Sequence, residues 1–172
     1  MTESPTDSRG AHTGRCSCWP GGDPAVTIKP MDDFRLHVTE RDDQLKNRLH
    51  EEIYRFNEDV TGFRDGLAMS LRVEDASGDL VAGLTGWTWG GTGYVDVLWV
   101  RAEARGTGLG GRLLAAAEQE ASARGCRSMV LSTHSFQAPM FYRSRGYLEC
   151  GRCPDYPVGH SQLHLTKSLL TT

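Results

Sequence analysis

The sequence predicts an α/β protein of the α+β type, built on a mixed, mostly antiparallel sheet with a central parallel pair and helices on both faces. Two observations carry this prediction. Strand-like segments follow one another across short turns rich in glycine and aspartate, which is typical of antiparallel hairpins. The apolar run Val95–Val100 is then followed by a glycine-rich turn, a helical pattern and another strand, Ser128–Thr133. Because a helical crossover joins parallel strands, these two strands form the parallel pair.

The N-terminal half supplies one helix and the antiparallel strands. Alternation at Phe34–Val38 predicts a first strand. Asp42 is placed to cap a helix that ends near Asn57. Its apolar stripe, with residues spaced three and four apart, comprises Leu45, Leu49, Ile53 and Phe56. Leu67–Val73 and Leu80–Trp89 are the next strands, and a turn rich in glycine leads into the central strand.

The C-terminal half alternates helices and strands. One helical face after the glycine turn comprises Leu109, Leu113, Ala117 and Ala121. Gly125 ends this helix, since glycine is the usual residue just past a helix C-terminus. Ser135 is placed to cap a further helix that ends at Gly146. Tyr147–Cys150 and Gln162–Thr166 are predicted as the last strands of the sheet.

The composition is that of an ordinary globular chain. Its 172 residues fit one domain, with 38% hydrophobic and 24% charged residues. Residues 1–24 are rich in Ser, Thr, Gly and Pro, so we expect a disordered N-terminal leader before a single domain at 25–172. The net charge of −3 offers no basic surface for nucleic acid. Neither a membrane-spanning run nor a signal region is evident, which predicts a cytoplasmic protein without a membrane partner.

Five cysteines are an odd number, which argues against a secreted disulfide framework. Cys150 and Cys153 have the C-x-x-C spacing of a zinc half-site or a redox pair. Cys16 and Cys18, or histidines, would have to complete a zinc site. The simpler interpretation is two ordinary thiols at the end of a strand, so no metal is assigned.

The turn Arg105–Gly111 reads RGTGLGG and leads from a strand into a helix. The first amides of a helix lack intrahelical acceptors, and the helix dipole adds positive charge there, so the turn predicts an anion site. A Walker loop would continue with Lys-Ser or Lys-Thr, where this chain has Arg112. A dinucleotide fingerprint matches Gly106, Gly108 and Gly111 literally. A charged connector precedes the turn, however, and no acid ends the next strand, which disfavours a dinucleotide site.

Two blocks together resemble the GNAT superfamily of N-acetyltransferases. Arg105-x-x-Gly108-x-Gly110 is similar to the family's R/Q-x-x-G-x-G/A motif. Ser135–Tyr147 is similar to its N-x-x-A-x-x-F/L-Y-x-x-x-G-F/Y motif, with Ser135 where many members have Asn. The blocks occur in the family's order, and the resemblance extends from about residue 33 to the C-terminus. Without this resemblance, the simplest interpretation of the glycines would be that they only shape a tight turn.

The resemblance implies acetyl-CoA as the cofactor. It implies that the central strand splays from its neighbour, that the pantetheine arm fills the gap, and that the glycine-loop amides hold the pyrophosphate. The residues implied to bind the coenzyme are Leu98, Trp99, Val100, Arg105, Gly106, Thr107, Gly108, Leu109, Gly110, Gly111, Ser135, Ala138 and Tyr142.

Acyl transfer to an amine needs a base for the amine and an acid for the leaving thiolate. Tyr142 falls where the family often has its general acid. Asp96 is the first candidate base, because a carboxylate within an apolar strand needs a partner or a role. His160 is the second, in a loop that resembles one covering the acceptor site in a branch of the family. With Asp96 and His160, His134 and Asn57 are candidate acceptor-binding residues.

The sequence therefore predicts an acetyl-CoA-dependent N-acetyltransferase that acts directly on a primary amine of a small molecule. Acetylation of a protein or peptide amine, a non-catalytic acyl-CoA sensor and a dinucleotide enzyme remain as alternatives. The identity of the amine and the oligomeric state stay open, with a homodimer as one option.

Overall fold

The computed structural model describes residues 35–170. The elements are α1 (Asp43–Thr61), β1 (Leu67–Glu74), β2 (Leu80–Trp89), β3 (Thr92–Val100), a 3₁₀ turn (Ala102–Ala104), α2 (Leu109–Ala123), β4 (Ser128–His134), α3 (Pro139–Arg143), β5 (Leu148–Pro154) and β6 (Ser161–Ser168). The strands form one sheet in the order β1-β2-β3-β4-β6-β5. Among the strands of residues 35–170, only the β3–β4 pair is parallel, and the other neighbouring pairs are antiparallel. The predicted fold class is confirmed.

The chain divides into two units, residues 1–42 and 43–172. Within the first, residues 35–42 contain neither helix nor strand. The predicted strand Phe34–Val38 is therefore wrong for residues 35–38, while Phe34 and the predicted leader lie outside the described residues. Leu36 and Val38 alternate with polar residues but are both 91% exposed, and alternation forms a strand only where a neighbouring strand receives it.

Helix α1 is present but runs to Thr61 rather than ending near Asn57. Asn57 does not break the helix, and the first residue with a left-handed conformation is Gly62, with φ of 74°. The predicted apolar stripe is exposed instead of packed: Leu45, Leu49, Ile53 and Phe56 are 51–57% accessible. Among the helices of residues 35–170, none is long and apolar enough to cross a membrane.

Helix α2 covers one face of β1, β2 and β3. It places Leu113, Ala117 and Ala121 in the core, as its spacing predicts, together with Leu114, whereas Leu109 at its first position is only partly buried. Its C-terminus is followed by Gly125 with φ of 83°, as expected for a residue that ends a helix. The largest fully buried side chains are Leu84, Leu114, Met129, Tyr147 and Leu165, so the core joins α2 to the centre of the sheet.

Helix α3 is shorter than predicted and is not capped by Ser135. It begins at Pro139, whose ring fixes the φ of a first helical turn. The residue before a proline is biased away from helical geometry, and Ala138 accordingly has φ of −132°, so the helix cannot start earlier. The Ser135 hydroxyl instead accepts a hydrogen bond from the Ser161 amide at 3.1 Å.

A β-bulge interrupts the central strand. Along β2, Thr85 and Gly86 are consecutive, but they pair with Val97 and Val95 on β3, so Asp96 is the extra residue. The parallel pairing of β3 with β4 ends at the same place, with Val95 opposite Leu131. The bulge therefore coincides with the point at which the central strands part.

Gly86 makes the bulge possible. A Cβ at this position would collide with the carbonyl oxygen of Tyr94 and would lie 3.3 Å from the Cα of Val95. These are main-chain atoms, which cannot rotate away as a side chain would. The backbones of β2 and β3 therefore approach as closely as they do only because residue 86 has no side chain.

We predict that Gly86→Ala destabilises the protein by about 1–3 kcal/mol, the range for forcing an extra methyl into a packed site. Urea denaturation measures this change. Gly151→Ala in β5 is the matched control, because a Cβ there meets only the His164 side chain at an ordinary 3.7 Å. Equal stabilities of the two variants would contradict the role given to Gly86.

Candidate active site

The glycine turn presents free amides at the start of α2. Gly106 and Gly108 have φ of 78° and 89°, a left-handed conformation that side chains rarely adopt. The first helical hydrogen bond runs from the Arg112 amide to the Gly108 carbonyl at 3.0 Å. The amides of residues 109–111 precede that bond and have no intrahelical acceptor, so they are free to donate to an anion.

One hydrogen bond stabilises the turn on the preceding 3₁₀ segment, and another holds it against the end of β3. The Thr107 hydroxyl donates to the Ala104 carbonyl at 2.7 Å. The Arg105 Nε donates to the Val100 carbonyl at 3.1 Å. Arg105 thus ties the turn to the central strand while its positive charge stays beside the helix N-terminus. A Cβ at Gly106 or Gly108 would meet open space, which leaves room for a ligand.

A cavity of about 950 Å³ opens between the parted strands and the glycine turn. One wall is the unpaired end of β3, and the other is the end of β4 with the segment leading into α3. The predicted residues that line it are Asp96, Leu98, Trp99, Val100, Arg105, Gly106, Gly108, Leu109, Gly110, Gly111, His134, Ala138 and Tyr142. A single cavity therefore gathers most of the residues proposed for coenzyme, acceptor and proton transfer.

Four predicted residues do not line this cavity: Asn57, Thr107, Ser135 and His160. Thr107 and Ser135 use their hydroxyls for the backbone hydrogen bonds described above. Asn57 lies on α1, where its carbonyl accepts a hydrogen bond from the Thr61 hydroxyl at 2.6 Å. The His160 ring instead packs edge-on against Phe136, with ring centroids 4.9 Å apart.

Tyr142 is largely buried yet borders the cavity, with 8% of its surface exposed. Burial raises the pKa of its phenol above the usual value of 10.0, because desolvation disfavours the phenolate. The hydroxyl therefore keeps its proton at neutral pH, as a general acid must. Its ring packs edge-on against Phe141 and Tyr147, at centroid distances of 4.9 and 5.9 Å.

Sequence reasoning missed several cavity residues. Phe136, Gln137, Phe141 and Arg145 all border the opening. The Gln137 side-chain carbonyl accepts hydrogen bonds from the His134 amide at 2.8 Å and the Thr133 hydroxyl at 3.1 Å, which shapes the turn after β4. All four lie within the block Ser135–Tyr147. That sequence block could have pointed to this segment as part of the site, but a sequence pattern does not show which of its side chains face the cavity.

Arg145 adds positive charge close to the glycine turn. Its guanidinium lies over the Phe141 ring, 3.9 Å from the centroid, and donates to the Phe141 carbonyl at 2.9 Å. A Cβ at Gly111 would come within 2.6 Å of a guanidinium nitrogen, so the absence of a side chain there makes room for Arg145. The helix N-terminus, Arg105 and Arg145 together make this end of the cavity favourable for phosphate.

Cys150 and Cys153 are free, exposed thiols at the end of the sheet. Cys16 and Cys18, which would have to complete a zinc site with them, lie outside the described residues. Among residues 35–170, no group of three or more His, Cys, Asp or Glu side chains is arranged to hold a metal ion.

Comparison with known proteins agrees with this geometry. Residues 33–147 match the sequence profile described as the acetyltransferase (GNAT) family. The chain belongs to this family. This GNAT acetyltransferase is 46% identical over 96 residues to blasticidin-S acetyltransferase from Streptomyces morookaense, over 54% of this chain and 68% of the relative.

Solved structures show the same fold. The crystal structure of an acetyltransferase from Bacillus cereus ATCC 14579 is 31% identical, with a TM-score of 0.66 over 77% of this chain and 97% of that one. An aminoglycoside 6′-N-acetyltransferase complexed with coenzyme A shares the fold at 18% identity, with a TM-score of 0.54 over 76% and 89% of the two chains. The predictions of a GNAT acetyltransferase and of acetyl-CoA as its cofactor are confirmed at the level of the family.

We predict that Gly108→Glu abolishes measurable acetyl-CoA binding in calorimetry while the fold persists. The new carboxylate would stand at the helix N-terminus and compete with the pyrophosphate for the free amides. Gly78→Glu in the β1–β2 turn is the control, since Gly78 has nearly the same φ, 86° against 89°, and equally open surroundings. Backbone strain is thus matched, and comparable loss of affinity in both variants would argue against the glycine turn as the phosphate site.

Proposed function

We propose that this acetyltransferase transfers an acetyl group directly from acetyl-CoA to a primary amine of a small molecule. The observation that carries the proposal is the cavity between the parted strands, which brings the glycine turn, a buried phenol and a carboxylate to one opening. A covalent enzyme intermediate is not part of the proposal. Cys126 is buried two residues before β4 and does not line the cavity, so it is poorly placed as a nucleophile.

The residues present fit the coenzyme. The amides at the start of α2 and the charges of Arg105 and Arg145 suit its pyrophosphate. Beyond Val95, β3 no longer pairs with β4, so main-chain groups of 96–100 on that edge can hydrogen-bond the amides of the pantetheine arm. A main-chain donor on this stretch is also available to the thioester carbonyl, where negative charge develops during acyl transfer.

Two protons must move for the reaction to balance. An amine with a pKa near 10.4 costs about 4–5 kcal/mol to deprotonate at pH 7, so a base contributes substantially. We assign this role to Asp96, the bulge residue on the cavity wall, acting directly or through one water. We assign Tyr142 as the acid that protonates the departing thiolate, because burial keeps its phenol protonated.

A small-molecule acceptor is favoured by the resemblance to blasticidin-S acetyltransferase, whose name specifies such a substrate. Amino acids, polyamines and aminated antibiotics are the acceptor classes we propose. A cytoplasmic location and a homodimeric state remain predictions. The exposed stripe of α1 is the surface on which a dimer contact should be sought first.

Thiol release from acetyl-CoA, measured across amino acids, polyamines and aminated antibiotics including blasticidin S, tests the proposal. We expect turnover with at least one of these amines and a mass increase of one acetyl group on that amine. Turnover with peptide amines alone would replace the small-molecule assignment. Tight acetyl-CoA binding without turnover on any amine would indicate a sensor.

Tyr142→Phe should lower kcat at least tenfold and leave acetyl-CoA affinity within about threefold, since general acid catalysis is typically worth about 10²–10⁴-fold. The change removes only the hydroxyl and preserves the ring packing. Tyr147→Phe is the matched control, because it removes the same phenol hydroxyl from a buried tyrosine that does not line the cavity. Steady-state kinetics of both variants provides the measurement.

If thiolate departure is not rate-limiting, the Tyr142→Phe loss will be smaller with acetyl-CoA and should reappear with a donor that has a poorer leaving group. If the Tyr142→Phe variant shows wild-type kinetics with both donors, the Tyr142 ring has only a packing role and water supplies the proton.

Asp96→Asn should lower kcat/KM about 10²–10⁴-fold at pH 7, the usual contribution of a general base. The deficit should shrink as the pH rises towards the pKa of the amine, because the free amine then needs no base. A pH–rate profile from 7 to 10 measures this recovery. A deficit that stays constant over this range would show that Asp96 positions the acceptor rather than accepting its proton.

A further inference from the structure

Four aromatic rings cluster where the cavity meets the loop between β5 and β6. His134 and Phe136 are stacked, with ring centroids 5.2 Å apart and planes within 6° of parallel. Tyr156 packs edge-on against His134 at 5.5 Å, and His160 packs edge-on against Phe136 at 4.9 Å. The His134 Nδ1 lies 3.1 Å from the Tyr156 carbonyl oxygen, which joins the loop to the end of β4.

This aromatic cluster is not buried as a core would be. Phe136 is 54% exposed and Tyr156 55% exposed, while His134 and Phe136 both line the cavity. Exposed aromatic side chains that line a cleft are typical of a ligand-binding site rather than of a packed core. The parallel His134 ring and the edge-on His160 ring fix the orientation of Phe136, so its position is set before any ligand arrives.

The cluster and the phosphate site come from different elements of the cavity wall: His134 and Phe136 lie at and just after the end of β4, and the glycine turn follows β3. Phe141 borders the glycine turn, since a Cβ at Gly110 would touch its ring at 3.4 Å. Tyr142, the proposed acid for the thiolate, follows directly. Phe136 precedes them by five residues or more, at the end of β4, and the loop carrying Tyr156 and His160 closes over it. The acetyl group would therefore sit between the glycine turn and the cluster.

We propose that the aromatic cluster of His134, Phe136, Tyr156 and His160 binds a planar aromatic ring of the acceptor amine. This inference rests on the proposed function and specifies its substrate class: an amine joined by a short linker to an aromatic or heteroaromatic ring. Stacking on the exposed surface of Phe136 extends the parallel His134–Phe136 pair by one ring. The amine then faces Asp96 across the cavity.

A planar ring is favoured over a general apolar group by the shape of the cluster. Parallel rings present a flat surface, on which another flat ring gains contact over its whole area. A saturated ring of the same size is thicker and puckered, lacks the quadrupole of a π system, and gains less on such a surface. Two acceptors that differ only in this property separate stacking from simple hydrophobic burial.

The experiment compares 2-phenylethylamine with 2-cyclohexylethylamine, which share an aminoethyl arm and a six-membered ring. Wild-type enzyme should show a lower KM for the aromatic amine. Phe136→Leu should raise that KM about 5- to 100-fold, the range of alanine-substitution effects on aromatic stacking. The KM values for the saturated amine and for acetyl-CoA should stay within about twofold. Phe136→Trp should retain the preference, which controls for misfolding.

Phe63→Leu is the matched surface control, because Phe63 is similarly exposed at 50% but lies outside the cavity. It should leave all three KM values unchanged.

Two kinetic results would overturn the proposal. Equal losses for both amines in Phe136→Leu would show a merely apolar contact. A rise in the KM for acetyl-CoA instead would mean that the ring stacks on the adenine of the coenzyme.

If neither amine is acetylated, calorimetric binding of both amines to the enzyme saturated with coenzyme A replaces kinetics. A preference for the aromatic amine that Phe136→Leu removes would support the cluster even though the proposed transfer had failed. Absence of any preference would exclude it.

Discussion

The parting of β3 from β4 after Val95 is the feature on which the rest of the site depends. Two adjacent parallel strands normally satisfy each other's amides and carbonyls, and unpaired main-chain groups away from water are costly. Here the pairing between β3 and β4 ends at the centre of the sheet. The unpaired edge faces a large cavity, so it is stable when water or a ligand with amide groups occupies the gap. A fold that leaves a central strand edge open in this way is suited to an extended ligand such as the pantetheine arm.

Interactions at both ends of the unpaired stretch of β3 maintain the gap between β3 and β4. Gly86 allows β2 to approach the bulge at Asp96, which bends β3 away from β4. At the far end of β3, Arg105 bonds the Val100 carbonyl and fixes the glycine turn next to the strand. The open strand edge and the free helix amides are therefore held in one fixed relation, and a ligand carrying both amides and a pyrophosphate can engage them together. This pre-organisation reduces the entropy lost when the coenzyme binds.

The environments of the two proposed proton carriers differ in a way that suits their roles. Tyr142 is buried among rings, which favours its neutral form. Asp96 is exposed at the bulge, where water can solvate a carboxylate and relay a proton. The two residues come from β3 and α3, 46 positions apart in the sequence, and only the central cavity brings them to one opening.

The sequence by itself determined the sheet, the crossover helix and the glycine turn that precedes this helix, because each depends on short-range signals. Alternation, helical spacing and glycine placement act within a few residues, and they correctly located β1 to β4 and α2. The same signals failed at residues 35–38, where no strand within residues 35–170 pairs with the alternating segment, and at Ser135, where Pro139 delays the helix. The tertiary structure decided the remaining features. These are the bulge at Asp96, the positions of Phe136 and Arg145 on the cavity wall, and the exclusion of Asn57 and His160 from the cavity. Each depends on which backbone lies beside which, and that information comes from strands and loops distant in the sequence.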